Sequence, residues 1–568
     1  MLNKLKLFLN IYYLIFLLIK LIYGQNRTSN NLINQNINLN NYSLPLQIKI
    51  GLLFANSTKT IRSLYGFGQS APAINLAIKR ARNENLINNN INFNFTWFIC
   101  NCEQSLATGY TNKLINEENV DVIIGPPCVT SALIAGFDAT FHNFPMFLWG
   151  ATVATDLSNS NIYPTITNIN SNTKMLAIAT QLILWEFQWK EISLIYILDD
   201  ARRACNYFQK DFEDIINKSQ NITIVFKKEM SPIIDDIKNT IKELKNRSRV
   251  ILTCFDNSDD RRNFLLAAFD LGLVENNDYI FIIPQLRNQG MQKMISTGKN
   301  GSKYDSFWKD TNITNDGRDK DALKAARKTI IIDLENGSNT QIDTFINKMY
   351  SEFGQPPFNC NGTCMGDSDE QNPSSFARSL HDTTYAYLRS LNNTIENFGY
   401  LTKEMLRNGT LITNMSHGEF QGETGDVIFD QQGNRQPKFY VTMLDNFDQP
   451  KVVIEINIIS NITNLKKLYN EESTIWVNNN GKRPLYKPIC GYTGTDCPQN
   501  MTIYILIAIG IILIIFICFT LIICYIIREK KNERERLTKE CIIPYIKLRN
   551  IKELKSNEEI NKSQRSIQ

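Results

Sequence analysis

IKIGLLFA, residues 48–55, is an apolar run of strand length interrupted only by Lys49, and the alternation that starts from it decides the fold. SAPAINLAIKRARNE (70–84) places its apolar residues at helical spacing, FNFTWFIC (93–100) and VDVIIG (120–125) return to strand character, and a helical stretch lies between them at 103–117. A further helix near 131–141 leads into the strand PMFLWG (145–150). Strands that are apolar throughout, alternating with helices, are the pattern of a parallel sheet covered on both faces. A second cycle begins at a helix over 172–188 and continues as strand 192–198, helix 201–217, strand 222–228, helix 232–245, strand 250–255, helix 259–271 and strand 279–284. The fold class expected is therefore α/β, with two similar lobes. Beyond the second cycle the pattern predicts a strand at 329–333, helices over 340–353 and 374–391, and a hairpin-like stretch at 425–444 whose turn is Gln431 to Asn434. From Asp445 the pattern weakens into what reads as a stalk holding Pro484, Pro488 and Pro498.

Outward from the lobes, both ends of the chain carry membrane signals. IYILIAIGIILIIFICFTLIICYII (503–527) has no charge in twenty-five residues; as a helix it reaches about 37 Å, enough to cross a hydrocarbon core of about 30 Å with some tilt. Arg528, Lys530, Lys531, Arg534 and Arg536 come directly after it, which puts the C-terminal side in the cytoplasm. At the start, Lys4 and Lys6 precede the apolar run 7–19 and Gly24 offers a small residue for cleavage. This reads as a signal peptide, with a signal anchor as the competing reading. A single-pass type I protein of the plasma membrane, N-terminus outside, is expected. The segments are then a signal peptide (1–24), an Asn-rich leader (25–46), the lobes (47–444), the stalk (445–502), the span (503–527) and a cytoplasmic tail (528–568).

Charge and composition agree with that placement. The tail holds 12 of the 61 basic and 7 of the 56 acidic residues, so the net +5 resides there and the rest of the chain is balanced. Nothing in it resembles a nucleic-acid footprint. Sixteen Asn-x-Ser/Thr sequons precede the span, among them Asn56, Asn94, Asn221, Asn312, Asn408 and Asn461, a density that suits a glycosylated extracellular surface. Nine cysteines lie on the same side, where most should pair.

Catalytic motifs are absent: no Gly-x-Ser-x-Gly, His-Glu-x-x-His or phosphate-binding loop occurs. The three histidines, His142, His381 and His417, are too few for a histidine-based metal site or triad, and no metal or other cofactor is expected. Asp199 with Asp200 and Asp259 with Asp260 come after strands, near helix starts, where acids favour the helix dipole. In open α/β lobes ligands gather beyond the carboxyl ends of strands. That rule nominates Asn56 and Ser57 after the first strand, Trp149, Ala151 and Thr152 at the fourth, and Asp199 and Asp200 in the second lobe. Trp149 is equally readable as core.

Several segments carry a family resemblance. IGLLF (50–54), DVIIGPPC (121–128), FLWGATVATDLSN (147–159), YPTIT (163–167), FQWKEISLIY (187–196) and GEFQGETGDVIFDQQGNRQPKFYV (418–441) resemble, in this order, the ligand-binding region of receptor guanylyl cyclases and natriuretic-peptide receptors, with a nematode-like flavour. ERERLTKECIIPYIKL (533–548) resembles the segment before their kinase-homology domain. The resemblance implies a two-lobed ectodomain of the type I periplasmic-binding-protein kind that binds an extracellular peptide or small molecule and acts as a homodimer. It implies bridges Cys102–Cys128, Cys205–Cys254 and Cys490–Cys497, while Cys360 and Cys364 are spaced to close a small loop. Cys100 is left over, as a competitor of Cys102, a bridge to a second chain or a buried thiol. A chloride site of the family falls on Gly125 to Cys128, where Pro127 removes a backbone donor. The forty-one residues after the span are too few for a cyclase domain. The expectation is a receptor of the guanylyl-cyclase type whose chain stops before the kinase-homology and cyclase domains; a short-tailed clearance or decoy receptor without enzymatic output is the alternative.

Overall fold

The computed structural model describes residues 46–541, with interruptions at 220, 276, 288, 299–300, 312–314, 336–338, 361–371, 461, 494–495 and 497–500. The expected signal peptide, all but the last residue of the leader, Asn312, Asn461, Cys364, Cys497 and the tail from residue 542 lie outside the described residues. The chain divides into two compact units, Met1–Lys487 and Pro488–Gln568.

In the first unit, the opening strand β1 (Leu46–Phe54) sits inside a five-stranded sheet. It is joined there by β2 (Ile91–Ile99), β3 (Val122–Ile124), β4 (Met146–Leu148) and β5 (Ile166–Asn168), all parallel, in the order β2-β1-β3-β4-β5. The apolar strands divide their side chains between two faces: Ile50, Leu52, Val122, Ile124 and Phe147 pack on one side, and Leu53, Ile123, Met146 and Leu148 on the other. This two-residue alternation is why strands covered on both faces carry so few polar positions. Helices α1 (Lys59–Tyr65), α2 (Pro72–Asn83), α3 (Gln104–Asn116) and α4 (Val129–Phe141) connect the strands. Thr58 caps α1 by accepting from the Ile61 N–H, and Pro72 occupies the first turn of α2, where no intrahelical donor is lost.

The second lobe holds an eight-stranded sheet, and it interleaves with the first in sequence. Its parallel part comprises β6 (Glu191–Tyr196), β7 (Thr223–Glu229), β8 (Val250–Cys254), β9 (Ile280–Pro284) and, after the excursion β10 (Gln292–Gly298) and β11 (Gly301–Ser306), β12 (Thr329–Leu334). Helices α5 (Thr173–Glu186), α6 (Ala204–Ser219), α7 (Ile234–Leu244), α8 (Ser258–Asp270) and α9 (Asp319–Ala326) cover it. Asn172 caps α5 and Asn257 caps α8, whose first turn carries Asp259 and Asp260. The chain then returns to the first lobe as α10 (Asn339–Glu352) and the long α11 (Ala377–Phe398), which Gly399 ends in the left-handed conformation, φ +77°. It crosses over three times, at 168–173, 334–339 and 429–438.

The strand pairing corrects two expectations. The stretch 425–444 is not a hairpin: β14 (Gly425–Phe429) pairs antiparallel with β13 (Gly418–Gly422), whereas β15 (Lys438–Leu444) pairs with β12 in the other lobe. The turn itself forms, with the Gly433 N–H donating to Asp430 O at 3.2 Å, but it is a crossing between lobes. The residues from 445, read as a stalk, continue the second sheet as β16 (Pro450–Ile459) and β17 (Ile462–Lys467). Trp476, 1% exposed, then packs edge-on against Phe187 and Trp189. Trp189 Nε1 donates to Pro484 O at 2.8 Å, and the buried Lys328 ammonium, pushed down to about 8 by burial, donates to Asn277 Oδ1, Asn478 O and Asn479 Oδ1. The lobe thus ends near residue 487 rather than 444.

Among its described residues the second unit contains one α-helix, α12 (Met501–Cys541). It is long and apolar enough to cross a membrane and none of its apolar window is buried.

Candidate ligand cleft

A cavity of about 370 Å³ opens between the two lobes. Four polar loops build it. At the end of β6, Asp199 Oδ1 accepts the N–H groups of Ala201 and Arg202, both at 2.7 Å, and so turns Arg202 into the cleft. After β8, Asp256 accepts the Cys205 N–H at 3.1 Å. After β9, Asp333 accepts from Gln285 Nε2 and from the N–H groups of Arg287, Gln289 and Gly290 at 2.9–3.0 Å. From the first lobe, the N-cap and first turn of α11 bring Phe376, Arg378 and Ser379. The Cys205–Cys254 disulfide, Cα–Cα 5.5 Å, ties the start of α6 to the end of β8 on the cleft wall.

The electrostatics are one-sided. Among the described residues, Arg202, Arg287, Lys293, Arg378 and Arg435 line the cavity, against a single carboxylate, Asp256. Arg287 Nη1 donates to the Asp256 carbonyl at 2.9 Å, and Arg378 Nη1 to the Glu423 carbonyl at 3.1 Å. Burial holds the Arg287 guanidinium well below its ordinary value, and the neighbouring charges of Arg202 and Arg261 press it in the same direction. Arg261, fully buried behind it, is lowered to about 10, burial again being the main cause. Asp256 is raised to about 6 by burial, with Asp199 adding to the effect and Arg202 and Arg287 opposing it.

Behind the cleft the crossings are fastened to one another. Asn168 pairs with Asn434 across the first and third crossings, its N–H donating to Gly433 O at 3.0 Å. Arg435 adds bonds to the carbonyls of Ile169, Thr424 and Asp426. Asp382, on α11, accepts from the Glu423 and Thr424 N–H groups at 2.8 Å and from Thr424 Oγ1. Burial would raise that carboxyl, but the bond from His381 and those from residues 423–424 keep it lowered.

Of the residues nominated from sequence, Ala151 lines the cavity. Thr152 stands one bond behind it, receiving 2.8 Å from Nδ2 of the lining residue Asn170. Asp199 acts through Arg202, and Asp200 is exposed and pairs with Arg203 at 3.1 Å. Trp149 is core, edge-on to Phe54 and Tyr65 and fully buried. Asn56 is half-buried, bonded through its N–H to Asn101, and Ser57 is exposed; neither lines the cavity. The residues missed, Arg202, Asp256 and Arg287, come after the carboxyl ends of β6, β8 and β9. The rule that nominates Asp199 reaches them when applied to every strand of the second sheet.

Away from the cleft, Cys102 and Cys128 form a disulfide, Cα–Cα 5.3 Å. Cys100 is a buried free thiol, pushed up to about 11 by burial, and lies 3.3 Å from Phe54 O. Cys360 and Cys490 are disulfide-bonded. Among the described residues no group of His, Cys, Asp or Glu could hold a metal ion.

Residues 69–446 match the model of the receptor family ligand binding region. The chain belongs to that family. The matched residues take in most of both lobes, from before α2 to the end of β15, and the one described helix able to cross a membrane comes after them in sequence. Among curated proteins the chain is 28% identical over 518 residues to the receptor-type guanylate cyclase gcy-14 of Caenorhabditis elegans, covering 89% of this chain and 45% of that protein. It is 29% identical over 517 residues to gcy-13 of the same organism (89% and 48%), and 27% identical over 550 residues to gcy-19 of Caenorhabditis briggsae (88% and 43%). The receptor chain thus spans just under half the length of these relatives.

Proposed function

We propose that this chain is the extracellular ligand-binding region, membrane span and first cytoplasmic residues of a plasma-membrane receptor of the guanylate cyclase type, with its N-terminus outside the cell. The observation that carries the reading is a two-lobed ligand-binding region with an interlobe cleft, followed by a span with five cations within nine residues of its C-terminal side. The domain limits adopted are a signal peptide over 1–24, lobes over 46–487 and a span over 503–527. On this reading the cyclisation of GTP belongs to the part of the relatives that lies outside the match.

A single span has nothing to move against unless a second one is present, so the working unit is a homodimer. Ala508 and Gly510 are too close in sequence to form a small-x-x-x-small face, and association is assigned to the lobes. The test joins residues 1–541 to the unmatched C-terminal part of gcy-14 and clusters the lobes with a bivalent antibody. Cyclic GMP should rise with the bivalent antibody and not with its monovalent fragment, and the chain should sediment as a dimer. A monomer with no cyclic GMP response would leave the clearance or decoy receptor standing.

A further inference from the structure

The geometry points to a small organic anion with an apolar body, a carboxylate above all, as the ligand of the interlobe cleft. The inference rests on the receptor reading and deepens it by naming the chemistry its cleft selects. Three observations converge on it.

The first is the state of the cations. Arg202 makes no side-chain hydrogen bond or ion pair among the described residues; its guanidinium sits 5.9 Å over the ring of Phe376, which belongs to the opposite lobe. Among the described residues, Arg287 and Arg378 donate only to backbone carbonyls, and Arg287 Nε is buried without a partner. Lys293, 5% exposed, has its nearest carboxylate, Asp259, 4.0 Å away. Buried charges that meet neutral acceptors instead of counter-charges are costly unless an anion joins them. A guanidinium is also the side chain whose fork matches a carboxylate with two parallel bonds.

The second is the remaining wall. Phe208, Phe255, Leu286, Phe345, Ile346 and Phe376 enclose the space beside the cations. An inorganic ion would leave that surface empty, whereas an anion with an aliphatic or aromatic body covers it.

The third is size. About 370 Å³ lies at the small end of the range that houses small molecules, so a peptide hormone cannot be enclosed there. Because the cations come from both lobes, an anion bridging Arg202 or Arg287 to Arg378 favours the closed arrangement over an open one, which is what a ligand must do to shift a two-state equilibrium.

The experiment uses the full glycosylated chain in detergent and reads its melting temperature and binding isotherm. The probes are benzoate, phenylacetate and hexanoate, each beside its neutral amide and the corresponding amine. At least one carboxylate should stabilise the chain while its amide and amine do not, and Arg202→Gln should weaken that carboxylate by about tenfold or more. Arg287→Gln should do the same, and Asp200→Asn, at an exposed position outside the cavity, should bind like the unaltered chain. Equal response to carboxylate, amide and amine, no response to any carboxylate, or full affinity in Arg202→Gln would each overturn the inference. None of those results touches the receptor reading, whose own tests are topology and cyclic GMP.

Discussion

Asp256 is the residue where the charge pattern of the cleft can be read out by titration. Its carboxyl is raised from the usual 3.8 to about 6, first by burial. For a raised acid the sign is that stability is greatest below the unfolded value and falls as pH rises through the folded one. At neutral pH the buried carboxylate therefore costs about 3 kcal/mol as an upper figure. Asp256→Asn keeps an acceptor for the Cys205 N–H and removes the titration. Its melting temperature relative to the unaltered chain should climb as pH goes from 4 to 7, and a difference independent of pH would show that Asp256 does not titrate in that window. At this scale the sequence is only partly legible. Asp199 stands out, but its role is to aim Arg202, and an arginine in an Asp-Asp-Ala-Arg-Arg loop carries no mark that distinguishes a cleft cation from a surface one. Trp149 misleads for a related reason: a strand end identifies a position near the cleft, while which way a ring turns depends on neighbours such as Phe54 and Tyr65 that arrive from elsewhere.

Elements are more legible where burial is two-sided. Parallel strands such as Ile280–Pro284 are apolar at every position and stand out from the helices around them. Edge strands do not: β17 is exposed at almost every residue and β16 alternates only in its second half, so both dissolve into an Asn-rich background. The hairpin misreading has a similar origin, because Phe429 serves the core of one lobe while Phe439 and Val441 serve the other, and period-2 alternation cannot tell which sheet a strand will join. Trp476 separates the two views of residues 445–487. As part of a stalk it would be dispensable; packed on Phe187 and Trp189 it should be worth about 3–5 kcal/mol. Trp476→Ala should lower the urea midpoint of the lobes by a corresponding amount, and an unchanged midpoint would return the segment to a linker.

For the whole molecule, three crossings at 168–173, 334–339 and 429–438 join the lobes. The first and third are hydrogen-bonded to each other through Asn168 and Gly433. The motion expected between the lobes is bending about this fastened strip, with the opening at the cleft. Two lobes are foreseeable from two β/α cycles in sequence, but their interleaving is not. Which lobe α10 and α11 return to depends on long-range packing, such as that of Tyr385 and Leu388 with Ile74 and Ala77 in one core, which no local pattern encodes. The central claim is that these lobes face the outside of a cell, and it predicts glycosylation at sequons before the span. Asn94 and Asn221 are exposed on the first unit, and N-linked transfer takes place only on the lumenal side of the secretory pathway. Mass-spectrometric mapping of the full chain made in animal cells should find glycan on Asn94 and Asn221, and a chain that reaches the membrane with both asparagines unmodified would contradict the account.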